Sequence, residues 1–149
     1  MHINSFAVKK DTISQIGGFP IGITLGEDII TIAQLYSLCD FAYSKQPTSI
    51  YYLTPNAGKS PRPQLLKNPV DKMFHDLLKT AKHRKNIKLY ISSWHKRKVV
   101  GAILNKKFHV AIYHFLIALY FAPFYKKLYT GTIISIYCLI TKKSIYNKK

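Results

Sequence analysis

The chain has 149 residues, of which 23 are Lys or Arg and 6 are Asp or Glu, so its formal net charge is +17. This length is enough to bury a hydrophobic core, and two cysteines are too few for a disulfide-stapled scaffold, so we expect free thiols in a reducing compartment. The first residues show no positive-then-apolar leader with a cleavage site, which predicts a cytoplasmic location.

Two helix signals separated by glycines occupy the first part of the chain. Asp11 is predicted to cap a short helix, and Gly17 with Gly18 predicts its left-handed end. A second helix is predicted to begin at Glu27 and Asp28, because apolar residues recur at helical spacing after them. The helix dipole favours carboxylates in a first turn, so an ordinary helix start is one interpretation of this acidic pair.

Strand signals flank these helices. Three short runs rich in aromatic and β-branched residues favour strands, at residues 3–10, 41–44 and 49–53. The order is therefore strand, helix, glycine turn, helix, strand, strand. This order predicts an α/β fold for residues 1–54.

Two motifs within this order carry a family resemblance: Gly17, Gly18 and Phe19 as a turn, and Gly26, Glu27 and Asp28 as a helix start. Together with the flanking elements, they resemble the C-terminal part of the catalytic domain of family 2 glycosyltransferases of the GT-A type. The resemblance implies transfer of a sugar from a nucleotide-sugar to a glycan or lipid-linked acceptor, in the biosynthesis of bacterial surface polysaccharide or other glycans.

The resemblance also implies roles for these residues. Asp28 would be the general base that takes a proton from an acceptor hydroxyl, which is worth about 10²- to 10⁴-fold in rate. Glu27 would shape the acceptor site, and the remaining motif residues would bind substrate: Gly17, Gly18, Phe19 and Gly26. A plain helix stop is an equally good interpretation of the glycine pair.

Enzymes of this family are expected to have an upstream nucleotide-binding half, in which an Asp-x-Asp-like pair holds Mg²⁺ or Mn²⁺ against the donor diphosphate. This sequence contains no Asp-x-Asp. Because metal contacts stabilise the leaving group, we expect this chain to bind no cofactor and to be inactive by itself. Nucleotide-sugar and acceptor are expected as partners only when an upstream half completes the site.

The two parts of the chain differ in net charge. Residues 1–58 hold three Lys and four acids, a net of −1, whereas residues 59–149 hold twenty Lys or Arg and two acids, a net of +18. Residues 55–67 contain three prolines and no apolar periodicity, which predicts a linker. We therefore expect a basic C-terminal region over residues 68–149.

This C-terminal region is predicted to be mainly α-helical. Asn68 is expected to cap a helix that begins at Pro69 and has apolar residues at helical spacing. Three further helical segments are predicted, at about 87–100, 106–121 and 128–141. Trp94 is expected to pack in the core rather than to bind sugar.

Residues 108–125 contain no Lys, Arg, Asp or Glu. The length of this stretch is near the lower limit for a membrane span, which takes about 17–25 residues. His109, His114 and Pro123 argue against a span, so interfacial contact and a packed helical region are alternatives. Lysine pairs flank the apolar runs, at 106–107, 126–127, 142–143 and 148–149. They predict a peripheral position on an anionic inner membrane face, with a solvated basic surface as the alternative.

Other classes of site have little support. The six histidines lack the spacing of a helical zinc pair, so no metal site is expected. The short basic clusters match no nucleic-acid-binding motif, so no specific nucleic acid is expected. Cys39 and Cys138 lie in apolar segments and are expected to be buried. Two functions stay open: a glycosyltransferase fragment, and a noncatalytic module that binds a membrane surface or another protein.

Overall fold

The computed structural model describes residues 6–23, 25–42, 46 and 68–141. Within these ranges the chain forms six helices: α1 Lys10–Gln15, α2 Glu27–Leu38, α3 Pro69–Thr80, α4 Arg84–Leu104, α5 Phe108–Phe121 and α6 Lys126–Thr141. They belong to two compact units, Met1–Lys82 and His83–Lys149, which we call the N-terminal unit and the C-terminal unit. The first unit holds α1 to α3, and the second holds α4 to α6.

The α/β fold predicted for the first part of the chain is wrong, because the described ranges contain helices and no strand. Of the first predicted strand, residues 6–9 lie in no strand and Lys10 already begins α1. Residues 41–42 of the second also lie in no strand. The third, at 49–53, lies outside the described residues.

Aromatic packing explains why two of these runs are not strands. The ring of Phe6 stacks on that of Phe41 with centroids 5.8 Å apart, and Phe41 contacts Tyr36 of α2 at 5.2 Å. The aromatic residues that favoured strands thus pack as side chains beside a helix. Strand preference depends on a neighbouring strand and a buried face, which local sequence does not supply.

Two glycines end α1 as predicted. The N–H of Gly17 donates to the carbonyl of Ser14 and the N–H of Gly18 to that of Ile13, both at 3.0 Å. Both glycines have φ of +78°, in the left-handed region, and the two bonds form a Schellman motif. Asp11 lies in the first turn of α1 rather than at the predicted N-cap position.

The predicted start of α3 is confirmed. Asn68 Oδ1 accepts a hydrogen bond from the N–H of Val70 at 2.9 Å, and Asp71 Oδ2 accepts one from the N–H of Asn68 at 3.3 Å. The Asn68 side chain also accepts from the N–H of Asp71, which completes a capping box, and Pro69 occupies the first helical position. Val70 and Phe74 are fully buried, so the capped helix packs through one face. The predicted linker at 55–67 lies outside the described residues.

The helical prediction for the C-terminal region is confirmed within residues 68–141, and α4 is the central element of the C-terminal unit. Both α5 and α6 pack against α4. One part of this core is built from small and branched side chains of α4 and α5: Val99, Ala102, Ile103, Val110 and Ala111. Where α6 meets α4, Gly131 lies close enough that an added Cβ would stand 3.7 Å from Val100 Cγ2. Small residues therefore let these helices approach closely.

A second Schellman motif separates α4 from α5. The N–H of Lys106 donates to the carbonyl of Ile103 at 2.9 Å, and the N–H of Lys107 donates to that of Ala102 at 2.8 Å. Lys106 has φ of +58°, so a lysine occupies the left-handed position that glycine usually takes. The motif reverses the chain and lets α5 fold back on α4.

No helix within the described ranges combines the length and the apolar character that crossing a membrane requires. The most apolar one, α5, has 14 residues. At 1.5 Å per residue it is about 21 Å long, against about 30 Å of hydrocarbon in a bilayer.

Candidate functional site

The predicted sugar-transfer residues lie at the start of α2 in the N-terminal unit. Gly26 is the N-cap residue, and its φ of +94° lies in the left-handed region that suits glycine. Glu27 and Asp28 occupy the first turn of the helix, as predicted. The unpaired N–H groups of a first turn favour negative charge at both positions.

The two carboxylates have different surroundings. Asp28 Oδ1 accepts a hydrogen bond from the N–H of Ile29 at 2.8 Å, so part of its acceptor capacity serves its own helix. Glu27 Oε2 is buried, and no hydrogen-bond partner for it exists among the described residues. An ordinary helix start produces the same contact at Asp28, so its role as general base stays a prediction.

The glycine turn lies at the far end of α1. Gly17 and Gly18 form the left-handed end of that helix, and the partly exposed Phe19 follows them. Within the described part of the chain, no hydrogen bond joins this turn to Asp28. A shared substrate pocket of the two motifs therefore also stays a prediction.

A different surface stands out in the C-terminal unit, on α5. Four large apolar or aromatic side chains spaced four residues apart are exposed on one face of this helix: Phe108, Ile112, Leu116 and Tyr120. We call them the α5 ridge. Their spacing places them in one row about 18 Å long.

The opposite face of α5 is buried and, apart from His114, also apolar. Its residues are Val110, Ala111, His114, Ala118 and Phe121. An ordinary surface helix has charged or polar residues opposite its buried face. The α5 ridge instead leaves apolar side chains in water, which typically marks an interaction surface.

Helix α6 extends the exposed apolar surface of the unit. It buries Leu128, Ser135 and Cys138 and exposes six large apolar or aromatic side chains: Tyr129, Ile133, Ile134, Ile136, Tyr137 and Ile140. Between the two helices, Phe124 is almost completely exposed. The unpartnered apolar surface is therefore not confined to one side chain or one turn.

Exposed lysines stand at both ends of α5. Lys106 and Lys107 precede its first residue, and Lys126 and Lys127 begin α6, with four residues between the two helices. Residues 83–149 contain fourteen Lys or Arg and no Asp or Glu, a net of +14. The unit thus has no carboxylate side chain of its own to neutralise this charge.

A buried histidine pair joins α4 to α5. Nδ1 of His95 and Nδ1 of His114 are 2.9 Å apart, and each residue is 1% exposed. The ring centroids are 5.1 Å apart, and Tyr113 meets the ring of His114 edge-on at 5.0 Å. Such a contact is a hydrogen bond in which one Nδ1 donates and the other accepts.

Sequence reasoning missed this pair because it treated the histidines as scattered. A partial signal was present, since residue 95 lies ten residues before the turn at Asn105–Lys107 and residue 114 lies seven residues after it, a difference of less than one helical turn. In an antiparallel helical hairpin, residues equidistant from the turn face each other. Folding the two predicted helices into a hairpin would have placed the two residues at a similar level, but would not have shown which helix faces meet.

The remaining candidates are simpler. Trp94 is buried in the core as predicted, with Lys98 Nζ 5.1 Å from the centre of its ring. Cys138 is buried as predicted, whereas Cys39 is exposed, because it follows the last residue of α2. The described residues include no group of three or more His, Cys, Asp or Glu side chains that could hold a metal ion.

The chain was compared with known protein families, curated proteins and solved structures. No protein-family model, no curated protein and no solved structure matches this chain. Its function is therefore argued from its own residues.

Proposed function

We propose that the C-terminal unit binds an anionic lipid surface, with α5 lying in the plane of the interface. The observation that carries this proposal is the exposed α5 ridge with a pair of exposed lysines at each end. Helices that lie in a membrane interface combine an apolar face with basic residues at headgroup level. Exposed tyrosines such as Tyr113 and Tyr120 suit the same boundary.

The apolar and electrostatic contributions are of similar size. Burying a large apolar side chain completely is worth about 1.5–3 kcal/mol, so the four half-exposed ridge residues supply about 3–6 kcal/mol. Each lysine near an anionic surface adds about 1 kcal/mol, or about 4 kcal/mol for the four that flank α5. Binding should therefore need both the ridge and the anionic lipid.

Charge argues for lipid over the other occupants of this surface. Two copies of a unit with a net of +14 repel each other, which disfavours self-association through the same face. Nucleic acid would attract the charge but offers phosphates, not hydrocarbon, to Ile112 and Leu116. An anionic bilayer satisfies both features at once. A peripheral position at the inner membrane face, on the cytoplasmic side, belongs to this proposal.

Vesicle sedimentation tests the proposal. The chain should sediment with vesicles of phosphatidylcholine mixed with phosphatidylglycerol and much less with phosphatidylcholine alone. Raising the salt from about 0.1 M to about 1 M shortens the screening length from about 10 Å to about 3 Å, so binding should weaken without vanishing.

A matched pair of leucines supplies the control. Leu116 of the ridge is 58% exposed and Leu38, in the N-terminal unit, is 56% exposed. Leu116→Asn should reduce vesicle binding, whereas Leu38→Asn should leave it unchanged. Equal binding by both variants, or equal binding to neutral and anionic vesicles, would refute the proposal. A lipid-free dimer that Leu116→Asn dissociates would assign the ridge to a second copy instead.

Sugar transfer stays a prediction based on motif resemblance alone. The α/β fold that accompanied it is wrong for the described residues. What still supports the resemblance is the order of a left-handed glycine pair followed by a glycine-capped acidic helix start. Asp28 is the residue on which that reaction would depend.

A further inference from the structure

The histidine pair has a chemical property that the proposed lipid binding does not use. A hydrogen bond between two Nδ1 atoms needs one bare nitrogen and one N–H. At 2.9 Å, His95 and His114 can keep this bond when both are neutral or when one ring is protonated. When both rings are protonated, two N–H donors face each other and the bond is lost.

A second proton would place two positive charges side by side. Both rings are buried and their Nδ1 atoms are 2.9 Å apart, and a like charge this close disfavours protonation of the second ring. Residues 83–149 contain no Asp or Glu, so no carboxylate side chain of the unit faces the pair from α4, α5 or α6. Titratable groups near the pair include Tyr113 on α5, which contacts His114, and Lys98 on α4, three residues after His95. On α6, the buried titratable side chain is Cys138.

We infer that His95 and His114 form an acid-sensitive latch that holds α5 against α4 at neutral pH and releases it when both rings are protonated. Histidine ordinarily titrates near pH 6.5, so the rings of the open form take up protons as pH falls below about that value. The latch therefore contributes stability above about pH 6.5. That contribution is lost as pH falls further, because the doubly protonated open form binds at least one more proton than the closed form.

Release of α5 would enlarge the apolar surface of the unit. The face of α5 beside His114 contains Val110, Ala111 and Ala118, all of which are buried, the first two against α4. Acid would therefore increase the apolar area of the unit that can contact lipid hydrocarbon, a consequence that rests on the proposed lipid binding. The opening of α5 does not depend on lipid binding, and it is measured without lipid.

The test follows α5 directly in the intact chain. Amide hydrogen exchange of α5, corrected for the intrinsic effect of pH, should lose at least about tenfold in protection between about pH 8 and about pH 5. Trp94 is the only tryptophan, is buried, and precedes His95. Its fluorescence should shift to longer wavelength over the same range.

Matched variants separate the pair from other histidines. In His114→Gln the ring that must titrate is gone, so acid should cause no further loss of α5 protection. His109→Gln removes an exposed histidine of the same helix and should behave as the wild type does. An acid response of His114→Gln as large as that of the wild type would overturn the inference.

Ring ¹⁵N resonances of the wild-type chain test the proposed protonation of the pair even if His114→Gln fails to fold. At about pH 8 they should show one protonated and one bare Nδ1 in the pair. Uptake of two protons near pH 6.5 with α5 protection unchanged would also overturn the inference. Vesicle binding measured at both pH values then tests the lipid consequence separately, because the opening can occur in a chain that binds no lipid.

Discussion

Asn68 Nδ2 donates a hydrogen bond to the carbonyl oxygen of Leu25 at 3.3 Å, across 43 residues of sequence. The Oδ1 atom of the same side chain accepts from Val70 and caps α3. One asparagine thus starts α3 and fixes the residue before Gly26. The start of α2, where the predicted site lies, is held by a distant part of the N-terminal unit.

This dual role predicts graded effects at Asn68. Asn68→Asp keeps the capping oxygen and loses only the donor to Leu25, which should cost about 0.5–1.5 kcal/mol. Asn68→Ala also loses the cap, which should cost about 1–2 kcal/mol more. Urea unfolding measures both. Equal losses in the two variants would show that the cap contributes nothing, and an unchanged stability in Asn68→Asp would show that the bond to Leu25 contributes nothing.

The turn between α4 and α5 predicts a stabilising change. Lys106 has φ of +58°, which costs a residue with a side chain about 1 kcal/mol and costs glycine much less. Lys106→Gly should therefore raise the free energy of unfolding by about 1 kcal/mol. Lys107 has φ of −93°, so Lys107→Gly should bring no such gain.

Two buried serines predict opposite outcomes. Ser92 is fully buried, and its Oγ has no hydrogen-bond partner among the described residues. Ser92→Ala removes an unsatisfied hydroxyl and should stabilise the chain by about 1 kcal/mol. Ser135 is equally buried, but its Oγ donates to the carbonyl of Gly131 at 2.7 Å. Ser135→Ala should be neutral or destabilising in the same thermal unfolding experiment.

One surface ion pair predicts a pH dependence. Lys79 Nζ donates to Asp76 Oδ1 at 2.8 Å, and this hydrogen bond and its charge hold the pKa of Asp76 below its ordinary value. The pair therefore stabilises the fold above the ordinary aspartate range and stops doing so as pH falls through the lowered pKa. NMR titration of the Asp76 carboxyl carbon should give a low midpoint. Lys79→Met should return that midpoint to the ordinary range.

The motif resemblance predicts an effect at Asp28. Nucleotide-sugar turnover should be assayed with a donor-binding polypeptide added to this chain. Asp28→Asn should lower turnover by about 10²- to 10⁴-fold if Asp28 is the general base. An asparagine oxygen can still accept from Ile29, so the helix start should survive the change. Asp40→Asn, at an exposed acid beyond α2, is the control. Unchanged turnover in Asp28→Asn would reject this role.

Helix positions were predictable where their signals are local. Asn68 with Pro69 starts α3, and Gly17 with Gly18 ends α1, because caps depend on hydrogen bonds over three to five residues. The end of α4 was harder to predict, since a lysine takes the place of glycine at Lys106. The predicted strands failed because aromatic residues such as Phe41 suit either a strand or the side of a helix.

The sequence by itself determined the helical character of residues 68–141, the concentration of charge in the basic half and the acidic first turn of α2. The helical signals depend on residues that are close together in the sequence, and the charge depends on composition alone. Only the tertiary structure decided that the first part is helical in its described residues, that the α5 ridge faces water, and that His95 meets His114. Each depends on which helix faces pack together, and that choice is made by contacts between residues distant in the sequence.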